Sequence, residues 1–100
     1  MGTYKVTGNR GQELETDVLL HPGEVLRDEL EARNIAQNQF AETVSMRPPH
    51  LNELIKGKRN ISALLAIRIE KVLGISAGFW MRLQVEYDLR IARQQLKKVA

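Results

Sequence analysis

One stretch near the middle of the chain places apolar residues with the period of an α-helix, and the period is broken once. The apolar positions are Phe40, Ala41 and Val44 before the break and Leu51, Leu54 and Ile55 after it. Pro48 and Pro49 fit the first turn of a helix, where backbone N–H groups lack intrahelical partners. Gly57 fits the C′ position, which favours a left-handed backbone. The pattern therefore predicts two short helices, over residues 37–44 and 48–56.

These two helices have the spacing of a helix-turn-helix, in which the second helix enters the major groove of DNA. Ala41 is small where the helices would cross closely, and Met46 in the turn can pack between them. Ser45 stands where such turns usually carry glycine, so we expect a left-handed backbone at this residue or a slightly different turn. Two ordinary helices of a small bundle would show similar periodicity. DNA binding is favoured by four features together: the small residue at the crossing, the apolar residue in the turn, the prolines that start the second helix and the basic residues that follow it.

Three further helices are predicted around this pair. They cover residues 22–33, 63–74 and 77–98. Ser62 and Ser76 are good N-caps for the last two, whereas Ala36 leaves the helix over residues 37–44 without a capping side chain. That missing cap should cost about 1 kcal/mol of local stability. Five helices with short connections predict a compact all-α domain.

The chain is predicted to divide into three parts. These are an N-terminal arm over residues 1–20, a helix-turn-helix domain over 21–92 and a helix end or tail over 93–100. In the arm, Tyr4 and Val6 alternate with polar residues and residues 8–11 have turn composition, so it is interpreted as a short strand or hairpin, or as a mobile arm. Its function would be to bind a partner and become ordered on contact. The alternative is an unstructured terminus without a role.

The charges are unevenly distributed along the chain. Residues 1–31 hold three basic and seven acidic side chains, a net charge of −4, whereas residues 32–100 hold twelve and five, a net charge of +7. The whole chain has a formal net charge of +3. An acidic segment followed by a basic domain is typical of proteins that bind phosphate groups. A merely solvated surface explains this separation less well.

Several classes of site are disfavoured by composition. The chain has no cysteine, so it has no disulfide, thiolate metal site or cysteine nucleophile. His21 and His50 lack metal-ligand spacing, and we interpret His21 as a local capping or packing residue. No carboxylate pair, nucleophile–base pair or phosphate-binding glycine loop is recognisable, so an enzyme is disfavoured and no cofactor is predicted. No apolar run approaches a membrane span, and a cytoplasmic location is expected.

Candidate DNA contacts come from the start of the first helix of the pair, from the exposed positions of the second, and from the loop that follows. They are Gln37, Arg47, Pro49, His50, Asn52, Glu53, Lys56, Lys58 and Arg59. Arg47 can pair with guanine or hold a phosphate, and Asn52 can bind adenine or brace the backbone. His50 can donate to a base edge or be an ordinary surface histidine. Gln37 can donate its amide to a phosphate.

The remaining candidates are charged. Glu53 can accept from cytosine, or it can pair with a nearby cation such as Lys56 or Arg47. Lys56, Lys58 and Arg59 suit phosphate contacts, because the loop after a recognition helix runs along the DNA backbone. The alternative for these three side chains is a solvated loop.

The last helix carries more apolar and aromatic surface than one small core needs. Its candidate dimer-interface residues are Phe79, Trp80, Leu83 and Tyr87. Aromatic residues such as these lie more often in a protein core, yet a two-fold interface would explain the surplus of apolar surface on this helix. Two recognition helices about 34 Å apart would meet successive major grooves on one face of DNA.

Three segments resemble the HigA (or VapI) antitoxins of bacterial toxin–antitoxin systems. They are HPGEVLRDEL at residues 21–30, NELIKGKRNIS at 52–62 and GFWMRLQVEYDL at 78–89. These antitoxins belong to the Xre-like, lambda-repressor-like helix-turn-helix class, and the resemblance covers about residues 21–92. The chain departs from the family pattern at Ala36, where serine is usual, at Ser45, where glycine is usual, and in the arm.

The resemblance implies a five-helix lambda-repressor-like domain and two partners. One is a HigB-like toxin that cleaves messenger RNA, which this chain would neutralise. The other is double-stranded DNA, an inverted-repeat operator that a homodimer would bind to repress its own operon. The alternatives are a stand-alone Xre-type regulator without a toxin, and a protein-interaction module that has lost DNA binding. An RNA-binding protein is less favoured, because aromatic stacking platforms are not recognisable.

Overall fold

The structure is a computed structural model that describes residues 20–99. Its helices are α1 (Pro22–Ala32), α2 (Gln37–Thr43), α3 (Pro48–Ile55), α4 (Ala63–Leu73) and α5 (Ala77–Val99). The described residues contain no strand, and the predicted all-α, five-helix architecture is confirmed. The predicted strand or hairpin in the arm lies outside the described residues. No helix among residues 20–99 is long and apolar enough to cross a membrane.

The first three helices end with the same local structure, the Schellman motif. Their C′ residues Asn34, Ser45 and Gly57 are left-handed, with φ of 58°, 58° and 80°. The closing hydrogen bonds run from the N–H groups of Ile35, Met46 and Lys58 to the carbonyls of Leu30, Ala41 and Glu53, at 2.9, 2.8 and 2.8 Å. The left-handed backbone predicted at Ser45 is therefore confirmed. Repeated tight ends let three short helices pack around one core.

The helix starts follow the predicted caps. The hydroxyl of Ser62 accepts a hydrogen bond from the Leu65 N–H at 3.2 Å, and that of Ser76 accepts from the Phe79 N–H at 3.1 Å. Ala36 makes no side-chain capping bond at the start of α2, as expected. The short α2 is thus held mainly by its packing against the core rather than by its own cap.

The core takes one buried stripe from each helix. Its members include Leu26, Leu30, Phe40, Ala41, Leu51, Leu54, Ala66, Ile69 and Trp80. The start of α1 approaches the end of α3 so closely that a Cβ at Gly23 would lie 1.8 Å from the carbonyl oxygen of Leu54. Glycine at this position is therefore a condition for the observed placement of α3.

His21 links the start of α1 to α5. Its buried ring accepts a hydrogen bond at Nδ1 from the Gly23 N–H, at 2.9 Å, which confirms the predicted capping role. The ring meets the Tyr87 ring edge-on, with centroids 4.6 Å apart. Because Nδ1 is an acceptor, the proton of the neutral imidazole is on Nε2, and a second proton would remove the cap.

We expect the free energy of unfolding to fall as the pH drops below 6.5, the ordinary pKa of histidine. Burial lowers the pKa of His21, while the carboxylates of Glu24 and Asp88 and the backbone of Arg59 oppose the shift in part. The unfolded chain therefore binds a proton at a higher pH than the folded chain, and protonation favours unfolding until the pH is below the folded-state pKa.

Denaturant unfolding of the parent and of His21→Asn, between about pH 7 and pH 5, measures this effect. Asparagine retains a capping acceptor but does not titrate. The variant should lose less stability than the parent over this range. Equal losses in the two proteins would show that the pH dependence comes from other groups.

Candidate DNA-binding surface

Helix α3 presents a polar face on the side opposite its packed residues. Its buried side chains are Leu51, Leu54 and Ile55. The exposed candidates are Arg47, Pro49, Asn52, Glu53 and Lys56, and His50 is half-buried. Positions 49, 52, 53 and 56 follow the spacing of one helical face. Among the side chains predicted to contact bases, Asn52 and Glu53 thus share one exposed face, while Arg47 lies exposed at the N-cap of α3 and His50 lies half-buried in its first turns.

The connection between α2 and α3 fixes the orientation of this face. Ala41 is completely buried where the helices cross, and its carbonyl accepts the Met46 N–H at 2.8 Å. Met46 packs partly buried against the core, as predicted for the turn hydrophobe. Gln37 lies exposed at the first position of α2. The turn is therefore held by this backbone hydrogen bond and by the packing of Ala41 and Met46, which together set the direction of α3.

The loop after α3, residues 57–61, is called the basic loop below. It begins with the Schellman motif at Gly57 and ends at Ile61, which is buried at 2% exposure. Lys58 and Arg59 lie exposed between these two fixed points, next to the C-terminal end of α3. The structure thus places the three predicted phosphate-binding cations, Lys56 among them, within four consecutive residues.

Glu53 pairs with a nearby cation, as one of its two interpretations predicted, but the cation is Arg59 rather than Lys56 or Arg47. The Arg59 Nε donates to the Glu53 carboxylate at 2.8 Å. This hydrogen bond lowers the pKa of Glu53, and the charge of Arg59 acts in the same direction. The partner is Arg59 rather than either named cation because the chain turns back over the last turn of α3 at Gly57. Both side chains remain exposed, so a phosphate can compete with Glu53 for the guanidinium.

Comparison with known proteins identifies this arrangement. A family model described as helix-turn-helix matches residues 26–80. The solved Pseudomonas aeruginosa antitoxin HigA with the higBA promoter is 39% identical, with a TM-score of 0.76 over 81% of this chain and 89% of that one. This chain belongs to the HigA-type helix-turn-helix family.

Other members support the same assignment. An addiction module antidote protein of the HigA family from Coxiella burnetii is 32% identical, with a TM-score of 0.74 over 80% of this chain and 88% of that one. Virulence-associated protein I of Dichelobacter nodosus is 32% identical over 81 residues, which are 80% of this chain and 75% of the relative. The resemblance inferred from three short segments is therefore confirmed, and the family is one of DNA-binding proteins rather than enzymes.

The residues predicted for a dimer interface of this HigA-type chain lie mostly inward. Trp80 has no exposed surface, so a second copy cannot contact it, and its assignment to an interface was wrong. Phe79, Leu83 and Tyr87 are half-buried; Tyr87 packs on His21, and Phe79 contacts Trp80 edge-on with centroids 5.4 Å apart. This face of α5 mainly closes the domain's own core.

Gln84 is a structural residue of the site that the pattern analysis did not single out. Its side chain is buried, at 4% exposure, between α5 and the basic loop. Its Oε1 accepts from the Ile61 N–H at 2.7 Å, and its Nε2 donates to Asn60 at 3.1 Å and to Asp88 at 3.0 Å. The available signal was a polar residue four positions after Trp80, on the buried stripe of α5.

Proposed function

We propose that this HigA-type chain is a cytoplasmic, sequence-specific DNA-binding antitoxin. As a homodimer it binds an inverted-repeat operator and represses its own operon, and it neutralises a HigB-like toxin that cleaves messenger RNA. The observation that carries the DNA-binding part is the exposed face of α3 with three cations at its C-terminal end. Relatives solved with operator or promoter DNA support it.

On this proposal the contacts divide by chemistry. Arg47, His50 and Asn52 read base edges in the major groove, since they offer donors, and in Asn52 also an acceptor, that match base patterns. Gln37, Lys56, Lys58 and Arg59 hold phosphates and set the position of α3 on the duplex. Pro49 and Glu53 lie on the same face, where Pro49 limits the close approach of bases and Glu53 orients Arg59.

We expect Lys58→Ala/Arg59→Ala to weaken binding to all duplexes and to flatten its salt dependence. Loss of two phosphate contacts should reduce the slope of log affinity against log salt by about 2. Arg47→Ala serves as the contrasting variant, because loss of a base contact should relax sequence preference by about 1–3 kcal/mol at one position. Salt titrations with the chain's own upstream DNA and with a random duplex measure both effects.

Two results would contradict these assignments. A parental salt slope in Lys58→Ala/Arg59→Ala would remove the basic loop from the contact surface. An unchanged set of selected binding sites for Arg47→Ala would show that Arg47 does not read a base. If the parent itself binds neither duplex, the chain is a protein-interaction module that has lost DNA binding rather than a repressor.

The toxin-neutralising part is tested through the neighbouring gene. A small protein encoded beside this chain should form a complex with it that survives gel filtration, and co-expression should abolish that protein's cleavage of messenger RNA. The alternative is a stand-alone regulator without a toxin partner. Operator binding without any toxin-like neighbour would support that alternative.

The homodimer of this proposal uses an apolar stripe on the outer face of α5. Its members are Val85, Leu89, Ala92 and Leu96. Val85, Leu89 and Leu96 are 50%, 42% and 67% exposed, and the alternating spacing of four and three residues is that of a coiled-coil seam. A second copy packing on this stripe would remove large apolar side chains from water.

A further inference from the structure

The basic loop is held at both of its ends, and only one end is fixed by backbone bonds of α3. At the first end, the Lys58 N–H donates to the Glu53 carbonyl at 2.8 Å. At the second end, the Ile61 N–H donates to the side chain of Gln84 at 2.7 Å, across 23 residues of sequence. The position of the exposed loop therefore depends on a side chain of α5.

The orientation of the Gln84 amide is determined by its partners. Its Nε2 faces the carboxamide oxygen of Asn60 and the carboxylate of Asp88, both acceptors, and its Oε1 faces an N–H donor. If the amide were flipped, its Nε2 would face the Ile61 N–H and its Oε1 would face the two acceptor oxygens. A single orientation therefore satisfies all three bonds. The side chain is also buried, which makes an unsatisfied partner costly.

We propose that Gln84 is a positioning residue for DNA binding, which holds the basic loop so that Lys58 and Arg59 face the phosphate backbone. Its burial keeps it from DNA, so it acts through Asn60 and Ile61. Without Gln84 the loop samples other conformations, so Lys58 and Arg59 lose conformational entropy when they bind phosphates, and this loss weakens binding. This inference rests on the proposed function, because it requires that the loop contacts DNA.

The test is a double-mutant cycle on DNA binding with the full chain. Gln84→Met keeps an unbranched side chain of similar length but removes all three hydrogen bonds. In the parent it should weaken binding to both upstream and random duplexes about tenfold and reduce the salt slope by about 1. In the Lys58→Ala/Arg59→Ala background it should change affinity less than about twofold, because the residues it positions are gone.

A matched control separates positioning from loss of stability. Ile69 is fully buried in α4 and takes no part in the three hydrogen bonds of Gln84. The comparison is therefore Ile69→Val or Ile69→Ala, whichever matches the thermal midpoint of Gln84→Met. At a temperature where all variants are folded, the Ile69 variant should bind DNA with the parental salt slope. Amide hydrogen exchange at Ile61 should accelerate in Gln84→Met and not in the control.

Each outcome bears on a different claim. Equal weakening by Gln84→Met in both backgrounds would overturn the inference, as would parental affinity and slope in Gln84→Met alone, while the proposed function would stand. Parental affinity and slope in Lys58→Ala/Arg59→Ala would overturn the inference and remove the basic loop from the contact surface, whereas a parent that binds neither duplex would overturn the proposed function itself. Asn60→Ala removes one of the three bonds and should give a smaller effect in the same direction.

Discussion

Gly23→Ala should destabilise the folded domain by about 3 kcal/mol, at the upper end of what added core volume costs. The new Cβ would lie 1.8 Å from the carbonyl oxygen of Leu54, and that oxygen belongs to the backbone of α3. A flexible side chain could move aside, whereas a helix carbonyl cannot without shifting α3. The substitution also brings the methyl within 3.1 Å of the His21 Nδ1, which caps α1.

Thermal unfolding measures this effect, with an expected fall of about 12–24 °C in Tm for a domain of this size. Gly78→Ala is the matched control, because Gly78 lies in the first turn of α5 and its added Cβ would meet the mobile end of Arg82 at 3.4 Å. Alanine favours a helix over glycine, so the control should be neutral or more stable. Similar midpoints for the two variants would show that α1 and α3 can separate without cost.

Local sequence signals were sufficient for much of this fold. Prolines at helix starts, hydroxyl caps and a glycine at a helix end act over a few residues, so the boundaries near Pro22, Ser62 and Gly74 could be predicted from the residues themselves. A left-handed backbone at Ser45 could be expected, beside a slightly different turn, because such turns usually carry glycine at this position. The exposed face of α3 could be predicted because the positions that remain after its apolar residues are assigned to the core must face outwards.

The features that were not predicted depend on contacts between distant residues. The pairing of Glu53 with Arg59 requires the path of the chain after Gly57, which periodicity does not describe. Trp80 was assigned to an interface because α5 carries more apolar surface than one small core needs. Periodicity alone does not say which of the two apolar stripes on α5 faces the core. The role of Gln84 needed the position of Ile61 in space.

That second stripe leads to the other large effect, which concerns oligomeric state. We expect Leu89→Glu to convert the proposed homodimer into monomers and to weaken operator binding about a hundredfold or more, because one recognition helix would bind without the other. Leu89 is 42% exposed in one chain and lies at the centre of the stripe between Val85 and Ala92. A carboxylate buried there between two apolar surfaces would be unpaired.

Ile67→Glu provides the control for this substitution. Ile67 is 47% exposed on α4, so the same change exposes a similar charge without entering the stripe. Sedimentation of both variants gives their mass, and their binding to the upstream duplex gives affinity. A dimeric Leu89→Glu protein would place the interface elsewhere, and loss of the dimer in both variants would extend it to α4. The outer face of α5 would be assigned to dimerisation if only Leu89→Glu is monomeric and if its thermal stability at high dilution equals that of the parent. A core defect would instead lower the stability of the monomer as well.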